Sequence, residues 1–213
     1  MTSPEANLQP LRASAATLAE AWIPHVSGRP ARILRDVALI VGVAALTALG
    51  AQIAFTIPGY PVPWTFQTFG VLLGGAALGA FRGFASMIVY LAAGAVGIGV
   101  FAGGTSGLEA DAGGLTPTIG YLIGFAVAAA LVGRLAERQW DRTRTGAGLQ
   151  MLLGTFVIYL LGVPVLAATL PMSLSDAIFY GAVVFIPWDI FKVILAAFGL
   201  PLAWRLAGDR TGE

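Results

Sequence analysis

The chain has 213 residues, of which 57% are hydrophobic and only 11% are charged. A soluble domain carries about 25% charged residues, so most of this surface does not face water. The length suits one membrane domain. The absence of cysteine excludes disulfides, thiolate metal sites and cysteine nucleophiles, and a net charge of +1 does not indicate nucleic acid as a partner.

The first 32 residues are polar and contain four prolines, so they predict a flexible or surface-lying cytoplasmic tail. His25, the single histidine, lies in this tail and cannot build a metal site alone. The membrane domain is expected over residues 33–207, and residues 208–213 form a short C-terminal tail, which is also cytoplasmic.

Long charge-free runs mark the helices. The run between Asp36 and Arg82 has 45 residues, which is enough for two crossings of about 20 residues each. Its proline-rich middle, residues 57–63, cannot be a regular helix. Helix 1 is therefore predicted at about residues 37–55 and helix 2 at about residues 65–81.

The remaining predicted helices follow in chain order. Helix 3 lies at about residues 84–101, helix 4 at 117–133 and helix 5 at 149–170, with Pro164 inside it. Residues 177–186 are apolar but too short to span a membrane, so we interpret them as a packed helix that leads into helix 6 at 187–204. One continuous, tilted helix is the alternative. The sequence thus predicts an all-α integral membrane protein with six transmembrane helices.

Basic residues indicate the orientation of these helices. With six crossings, eleven arginines fall on one side: Arg12, Arg29, Arg32, Arg35, Arg82, Arg134, Arg138, Arg142, Arg144, Arg205 and Arg210. The connections on the other side carry only Glu109, Asp111 and Asp176. Because positive loops stay inside, both termini are predicted to be cytoplasmic.

Asp189 and Lys192 are the only acid and base within the predicted spans. They are three residues apart, so they lie on one face of helix 6, near its outer end. A charge in hydrocarbon is costly and normally marks a substrate or ion path. The pair is thus predicted to contact a ligand; the alternative is a structural ion pair that holds helix 6 in place.

The segment that opens helix 2 combines polar and aromatic side chains. Thr65, Gln67 and Thr68 supply uncharged hydrogen-bonding groups beside Trp64 and Phe66. This mixture suits a pocket for a small molecule with a polar head. Helix capping by Thr65 and an interfacial tryptophan explain the segment equally well.

The glycine-rich loop after helix 3 also lies on the outer side. It contains Gly103, and glycine allows the backbone to approach a ligand closely, so the loop is a candidate lid or else a plain surface loop. No Walker-type nucleotide motif occurs. Nucleophile–base pairs, paired carboxylates and metal-ligand clusters are also missing from the sequence, which predicts neither an enzyme nor a bound cofactor.

Pairs of small residues four apart suit helix–helix contact in a membrane. They are Ala44 and Ala48 on helix 1, Gly70 and Gly74 on helix 2, and Gly120 and Gly124 on helix 4. Packing within the bundle is the expected role of most of them.

Six stretches carry a resemblance to a known family: residues 61–74 (PVPWTFQTFGVLLG), 90–97 (YLAAGAVG), 100–104 (VFAGG), 120–125 (GYLIGF), 154–159 (GTFVIY) and 185–192 (FIPWDIFK). In these stretches the chain resembles the BioY family, the biotin-specific substrate-binding S-components of energy-coupling factor (ECF) transporters. They occur in order across about residues 35–206.

The resemblance implies a six-helix S-component in a prokaryotic cell membrane, with a biotin site near its outer surface. It also implies a membrane-embedded coupling subunit and two ATP-binding subunits, so ATP would be used by partners and not by this chain. The family's site aspartate and lysine map onto Asp189 and Lys192. The alanine pair that docks the coupling subunit maps onto Ala44 and Ala48.

Four positions depart from the family pattern. Gly99 stands where the family usually has proline, and Thr116, Ile119 and Trp188 stand where it usually has glycine. The bulk of Ile119 and Trp188 near the expected pocket supports the alternative of an S-component for another small vitamin.

In the leading hypothesis, Asp189 accepts the ureido N–H groups of biotin. Lys192 donates to the ureido oxygen or to the carboxylate, and aromatic rings, including that of Phe66, cover the apolar part. The predicted substrate-binding residues are Asp189, Lys192, Gln67, Thr65, Tyr90, Gly103, Tyr121 and Trp64. A hypothesis of a different class, a membrane enzyme or a scaffold without transport activity, is opposed by the lack of a nucleophile and base.

Overall fold

The computed structural model describes residues 16–23, 26–110 and 113–209. His25, Asp111 and the terminal arginines Arg12 and Arg210 lie outside this part. Helices dominate the described residues, and their bounds are α1 Leu18–Trp22, α2 Arg29–Gln52, α3 Gln67–Leu78, α4 Ala80–Ala95, α5 Ile119–Glu137, α6 Arg144–Thr169, α7 Leu174–Gly181 and α8 Ile186–Asp209. A two-stranded antiparallel hairpin, β1 Ala54–Phe55 and β2 Trp64–Thr65, lies between α2 and α3.

Four segments of the described chain are long and apolar enough to cross a membrane. They are Arg29–Gln52, Ile119–Glu137, Arg144–Thr169 and Leu174–Gly208. The apolar helices α3 and α4 have only 12 and 16 residues. A bilayer core of about 30 Å needs about 20 residues at 1.5 Å each, so these two helices fall short of a full span. Helix length therefore marks four spans, where six had been predicted.

A tight turn explains why α3 and α4 are short. Gly79 has a φ of 86°, a conformation that glycine adopts readily, and it separates the two helices without a loop. The proline-rich segment and the hairpin occupy the chain before α3, and an irregular loop follows α4. The predicted helices 2 and 3 therefore exist as α3 and α4. Their bounds differ from the predicted ones because the turn at Gly79 and the flanking irregular segments occupy several of the predicted helix ends.

The last apolar stretch is broken, as the two-helix interpretation predicted. α7 ends at Gly181, a short 3-10 turn follows at Val183–Phe185, and α8 then begins. The hydroxyl of Tyr121 on α5 donates to the Gly181 carbonyl oxygen at 2.9 Å, so the end of α7 is tied to the bundle. Pro164 remains inside a continuous α6, as expected.

The N-terminal tail contains a docked helix. Thr17 caps α1, and Leu18 and Ala19 are buried. The indole N–H of Trp22 donates to the Ala203 carbonyl on α8 at 3.1 Å, and Glu20 pairs with Arg82 at 3.6 Å. The described part of the tail, residues 16–23, thus packs on the bundle, which the polar composition alone did not predict.

Small residues let the helices approach closely, as their spacing predicted. A Cβ at Gly120 on α5 would lie 2.5 Å from the Leu161 carbonyl oxygen on α6. A Cβ at Gly124 would lie 3.0 Å from the Ile158 Cα on α6. Since any side chain there would meet backbone, these glycines set the contacts of α5, the most buried of the spanning helices.

Candidate functional site

The cavity lies at one end of the bundle. Residues of the segment 54–65, of the loop at 101–110 and 116–118, and of the first turns of α8 surround a volume of about 530 Å³. This is within the range of pockets that bind small molecules. The arginine-bearing connections, at the α3–α4 turn and between α5 and α6, lie at the opposite end of the helices.

Asp189 and Lys192 both line this cavity, as predicted. The Lys192 Nζ is 2.7 Å from Asp189 Oδ1 and donates to Thr68 Oγ1 at 2.6 Å. Both residues are only 7% exposed, although the pair opens onto the cavity. Three N–H donors on the ammonium and two acceptor oxygens on the carboxylate leave positions for a polar ligand.

Tyr159 on α6 completes this polar cluster. Its hydroxyl donates to Oδ2 of Asp189, whereas the Lys192 ammonium contacts the other carboxylate oxygen, Oδ1. Tyr159 also lines the cavity. A buried charge is tolerated when it is paired and hydrogen-bonded, and α3, α6 and α8 together meet that requirement here.

The segment before α3 forms a second wall. Thr65 and Gln67 line the cavity, and the Thr65 hydroxyl accepts from the Gln67 backbone N–H at 3.3 Å. The hairpin register pairs Ala54 with Thr65, which fixes this wall against the end of α2. Thr65 thus accepts from the first backbone N–H of α3, although the N-cap position itself is Phe66, and Thr65 also lines the cavity.

Tyr90 is buried behind this wall and does not line the cavity. It is 1% exposed, accepts from Gln67 Nε2 at 2.5 Å and donates to the Val100 carbonyl at 2.9 Å. The side chain thus supports Gln67 and the start of the following loop. The predicted direct contact between Tyr90 and ligand has no counterpart in this geometry, because Gln67 stands between them.

Of the other aromatic residues that were predicted at the site, one lines the cavity and two do not. Tyr121 lines the cavity. Trp64 and Phe66 do not: the Trp64 ring packs on Phe185 with centroids 5.8 Å apart, and Phe66 packs on Trp188 at 5.0 Å. The aromatic face of the cavity comes instead from Tyr121, Phe125 and Phe185.

The glycine-rich loop after α4 contributes to the lining of the cavity. Gly103 lines it and has a φ of 66°, which a glycine adopts without strain. The Gly107 N–H donates to the Gly94 carbonyl at 2.8 Å, so the loop is anchored to the end of α4. Glu109 also lines the cavity, as the only acid there besides Asp189 among the described residues.

Neither bulky departure from the family pattern enters the cavity. Ile119 is 8% exposed and belongs to the hydrophobic core. The Trp188 indole points away from the cavity and donates to the Thr65 carbonyl oxygen at 3.2 Å. The volume of these two side chains therefore does not reduce the space for a ligand.

The sequence analysis did not identify several residues that line the cavity, among them Glu109, Phe125, Ile158, Tyr159 and Phe185. A polar residue within an otherwise apolar span was the available signal for Tyr159. Phe125, Ile158 and Phe185 carry no such signal, because an apolar residue in a membrane helix is ordinary. Within the described residues, no cluster of His, Cys, Asp and Glu could hold a metal ion.

The predicted docking pair faces inward. Ala44 is 7% exposed, and Ala48 is partly buried against the core. The neighbouring face of α2 is open: Gly42 and Ala45 are exposed, and a Cβ at Gly42 would meet nothing within 4 Å. The surface that α2 offers to another protein is thus turned away from Ala44.

The chain is similar in sequence to proteins that are named as biotin transporters. It is 34% identical over 171 residues to the biotin transporter BioY of Rhizobium etli, covering 76% of this chain and 89% of that protein. It is 38% identical over 179 residues to a probable biotin transporter BioY of Pyrococcus horikoshii, covering 82% and 98%. These relatives are named as transporters, in agreement with the prediction that the chain is not an enzyme.

A solved structure shows the same fold. The crystal structure of the S-component for biotin from an ECF-type ABC transporter superposes with a TM-score of 0.69 at 22% identity. The superposition covers 84% of this chain and 94% of the other. The sequence model of the BioY family matches residues 17–209, which include every cavity residue named above. The chain therefore belongs to the BioY family of membrane proteins.

Proposed function

We propose that this chain is the biotin-binding membrane subunit of an ECF-type transporter. The observation that carries the proposal is the buried Asp189–Lys192 pair, which opens into a cavity of about 530 Å³. Charged side chains within an apolar bundle are costly and normally mark a substrate or ion path. Relatives named as biotin transporters make biotin the ligand of choice.

The chemistry of biotin matches the two kinds of lining. Its ureido ring offers two N–H donors and one acceptor oxygen, which suit the Asp189 carboxylate and the Lys192 ammonium. The carboxylate of its side chain is the other candidate partner of Lys192. Tyr121 and Phe185 provide an apolar surface for the thioether ring.

The proposed ligand contacts follow from the cavity lining. Direct contacts are assigned to Asp189, Lys192, Thr65, Gln67, Gly103, Tyr121 and Tyr159. Tyr90 and Trp64 are assigned a supporting position behind the wall. Six of the eight predicted residues are thus proposed to contact the ligand directly, together with Tyr159, and the other two are proposed to support them.

The proposed topology has six crossings in a prokaryotic cell membrane, with both termini and the arginine-rich connections in the cytoplasm. The charge asymmetry of the connections supports it. In this topology α3 and α4 cross as two short helices joined at Gly79. The cavity then opens to the outside.

The proposed partners are a membrane-embedded coupling subunit and two ATP-binding subunits. No nucleotide-binding motif occurs in the chain, so ATP hydrolysis is assigned to those partners, and no cofactor is assigned to the chain. The coupling subunit is proposed to dock on α2, the helix of Ala44 and Ala48. Because Ala44 is buried, the contact is assigned to the exposed face that carries Gly42 and Ala45.

Mass spectrometry of the ligand extracted from purified protein tests the proposal, followed by calorimetric titration with biotin. Biotin in the extract and saturable binding support it. A different vitamin in the extract, with no response to biotin, would establish the runner-up, an S-component for another small vitamin. The runner-up rested on the bulk of Ile119 and Trp188, neither of which lines the cavity.

A further inference from the structure

The cavity has a seam where two of its walls meet. One wall is the segment with Thr65, Gln67 and Thr68, and the other is the first turns of α8 with Asp189 and Lys192. These walls are more than a hundred residues apart in sequence, so only side-chain contacts keep them together. The seam is defined here as the line between Thr65–Thr68 and Trp188–Lys192.

Two polar bonds cross the seam, one on each side of it. On the cavity side, the Lys192 ammonium donates to Thr68 Oγ1 at 2.6 Å. On the side of the seam away from the cavity, called its outer side here, the Trp188 indole N–H donates to the Thr65 carbonyl oxygen at 3.2 Å. Trp188 does not line the cavity, and it directly precedes Asp189 in the chain.

Aromatic rings cover the outer bond. The Trp188 ring stacks on Phe191 with centroids 5.5 Å apart and meets Phe66 edge-on at 5.0 Å. Phe66 lies between Thr65 and Gln67, yet it is turned out of the cavity toward this cluster. Edge-to-face and offset pairs of this kind are favourable beyond the area they bury. The cluster therefore closes the seam on the side away from the ligand.

The two bonds respond differently to a ligand. Lys192 lines the cavity, so a ligand contacts the donor of the inner bond directly. Trp188 does not line the cavity, so a ligand does not contact the donor of the outer bond. We infer that Trp188 is a positioning residue of the ligand site, which holds the α8 wall against Thr65 and slows ligand release. This inference rests on the proposed function, because biotin is the probe.

The test measures the dissociation of labelled biotin from the full-length Trp188→Phe variant in a chase with unlabelled biotin. Phenylalanine keeps a ring for Phe66 and Phe191 but has no N–H. In an apolar setting no water replaces the lost donor. We expect release to be about 2- to 12-fold faster, the range for one neutral hydrogen bond. Trp140→Phe is the matched control, because Trp140 lies in the α5–α6 connection at the other end of the bundle.

Each outcome decides the inference. Faster release from Trp188→Phe, with Trp140→Phe unchanged and similar melting temperatures, supports it. An unchanged rate of biotin release overturns it. It is also overturned if Trp188→Phe melts at a lower temperature and fewer molecules bind biotin, but the molecules that bind release it at the normal rate. If Trp188→Phe does not fold, Phe191→Leu loosens the same cluster, and normal release from that variant overturns the inference. Failure of the unmutated protein to bind biotin would instead refute the proposed function.

Discussion

Tyr159 and Lys192 contact opposite oxygens of the Asp189 carboxylate. Lys192 Nζ lies 2.7 Å from Oδ1, and the Tyr159 hydroxyl donates to Oδ2. Because Tyr159 comes from α6 and the ion pair from α8, the carboxylate is fixed relative to two helices at once. All three residues line the cavity, so this contact fixes the carboxylate at the cavity wall.

Removing the Tyr159 hydroxyl should weaken ligand binding. Tyr159→Phe keeps the ring but leaves one oxygen of Asp189 without its donor, so the carboxylate is free to rotate. We expect biotin affinity to fall about 2- to 12-fold, corresponding to about 0.5–1.5 kcal/mol, because the hydroxyl acts on the ligand through its hydrogen bond to Asp189. Calorimetric titration measures the change. Tyr180→Phe is the control, because Tyr180 packs on Tyr60 and does not line the cavity; equal affinity in both variants would contradict a role for the Tyr159 hydroxyl.

Substitution of the ion pair distinguishes ligand contact from structural support. Asp189→Asn replaces a charged acceptor by a weaker neutral one, and Lys192→Met removes the ammonium. Each should lower biotin affinity by about 10- to 150-fold, corresponding to about 1.5–3 kcal/mol. Titration of biotin into each variant measures the loss, and melting curves run in parallel.

The double variant Asp189→Asn, Lys192→Met decides between the two roles. Ligand contact predicts that it stays weak, because both polar partners of biotin are gone. A purely structural pair predicts that the single variants melt early and that the double variant regains both stability and affinity. Near-normal affinity of the double variant would end the assignment of these residues as ligand contacts.

The sequence predicted the helices better than their ends. Long apolar runs and the proline-rich segment located every spanning helix, because hydrocarbon demands apolar residues and proline breaks helices. The docking of α1 could not be read from the sequence. It depends on the hydrogen bond from Trp22 to the Ala203 carbonyl, which only the folded chain brings together.

For the site, rarity of residue type was the useful signal. Asp189 and Lys192 stand out because charges are scarce in membrane helices, and both line the cavity. Tyr90 and Trp64 were selected for their chemistry, but the side that each ring faces depends on the rotation of α4 for Tyr90 and on the hairpin for Trp64. Phe185 lines the cavity only because α7 stops at Gly181 and the chain turns before α8. Sequence periodicity does not specify such a break.

Cysteine labelling tests the proposed topology. Ser106 lines the cavity in the loop after α4, and Thr143 caps α6 at the opposite end of the bundle. A membrane-impermeant thiol reagent should label Ser106→Cys in intact cells and Thr143→Cys only after permeabilisation. The chain has no native cysteine, so no background site interferes. Labelling of Thr143→Cys from outside would exclude the six-crossing arrangement.

The two faces of α2 allow a test of docking. Gly42 and Ala45 are exposed, so Gly42→Trp with Ala45→Trp should block assembly with the coupling subunit and leave biotin affinity intact. Ala44→Trp with Ala48→Trp should lose biotin binding as well, because a tryptophan at the buried Ala44 overpacks the bundle. Co-purification with the coupling subunit and biotin titration report the two properties. Normal assembly of the Gly42, Ala45 variant would remove this face from the docking surface.

Asp141 predicts a dependence of stability on pH at the arginine-rich end of the bundle. Its side chain is fully buried, with Oδ2 accepting from the Trp204 indole N–H at 2.6 Å. Burial raises the pKa of Asp141 from its ordinary value of 3.8 to about 6, although the Trp204 hydrogen bond and the Arg142 charge oppose the shift. The fold therefore favours the protonated carboxyl.

The sign of the effect follows from this shift. The contribution of Asp141 to stability is fully present below its ordinary pKa near 4 and is lost as the pH rises through about 6. We expect the melting temperature to fall between about pH 4 and about 7, with a free-energy change of up to about 3 kcal/mol over the whole window for a shift of about two pKa units. Asp141→Asn keeps an acceptor for Trp204 and carries no charge, so it should flatten this part of the profile and raise stability at neutral pH. Asp176→Asn, at an exposed acid near the start of α7, should leave the profile unchanged. Melting scans across this pH range compare the three proteins, and an equal slope in Asp141→Asn and the unmutated chain would show that another group controls the transition.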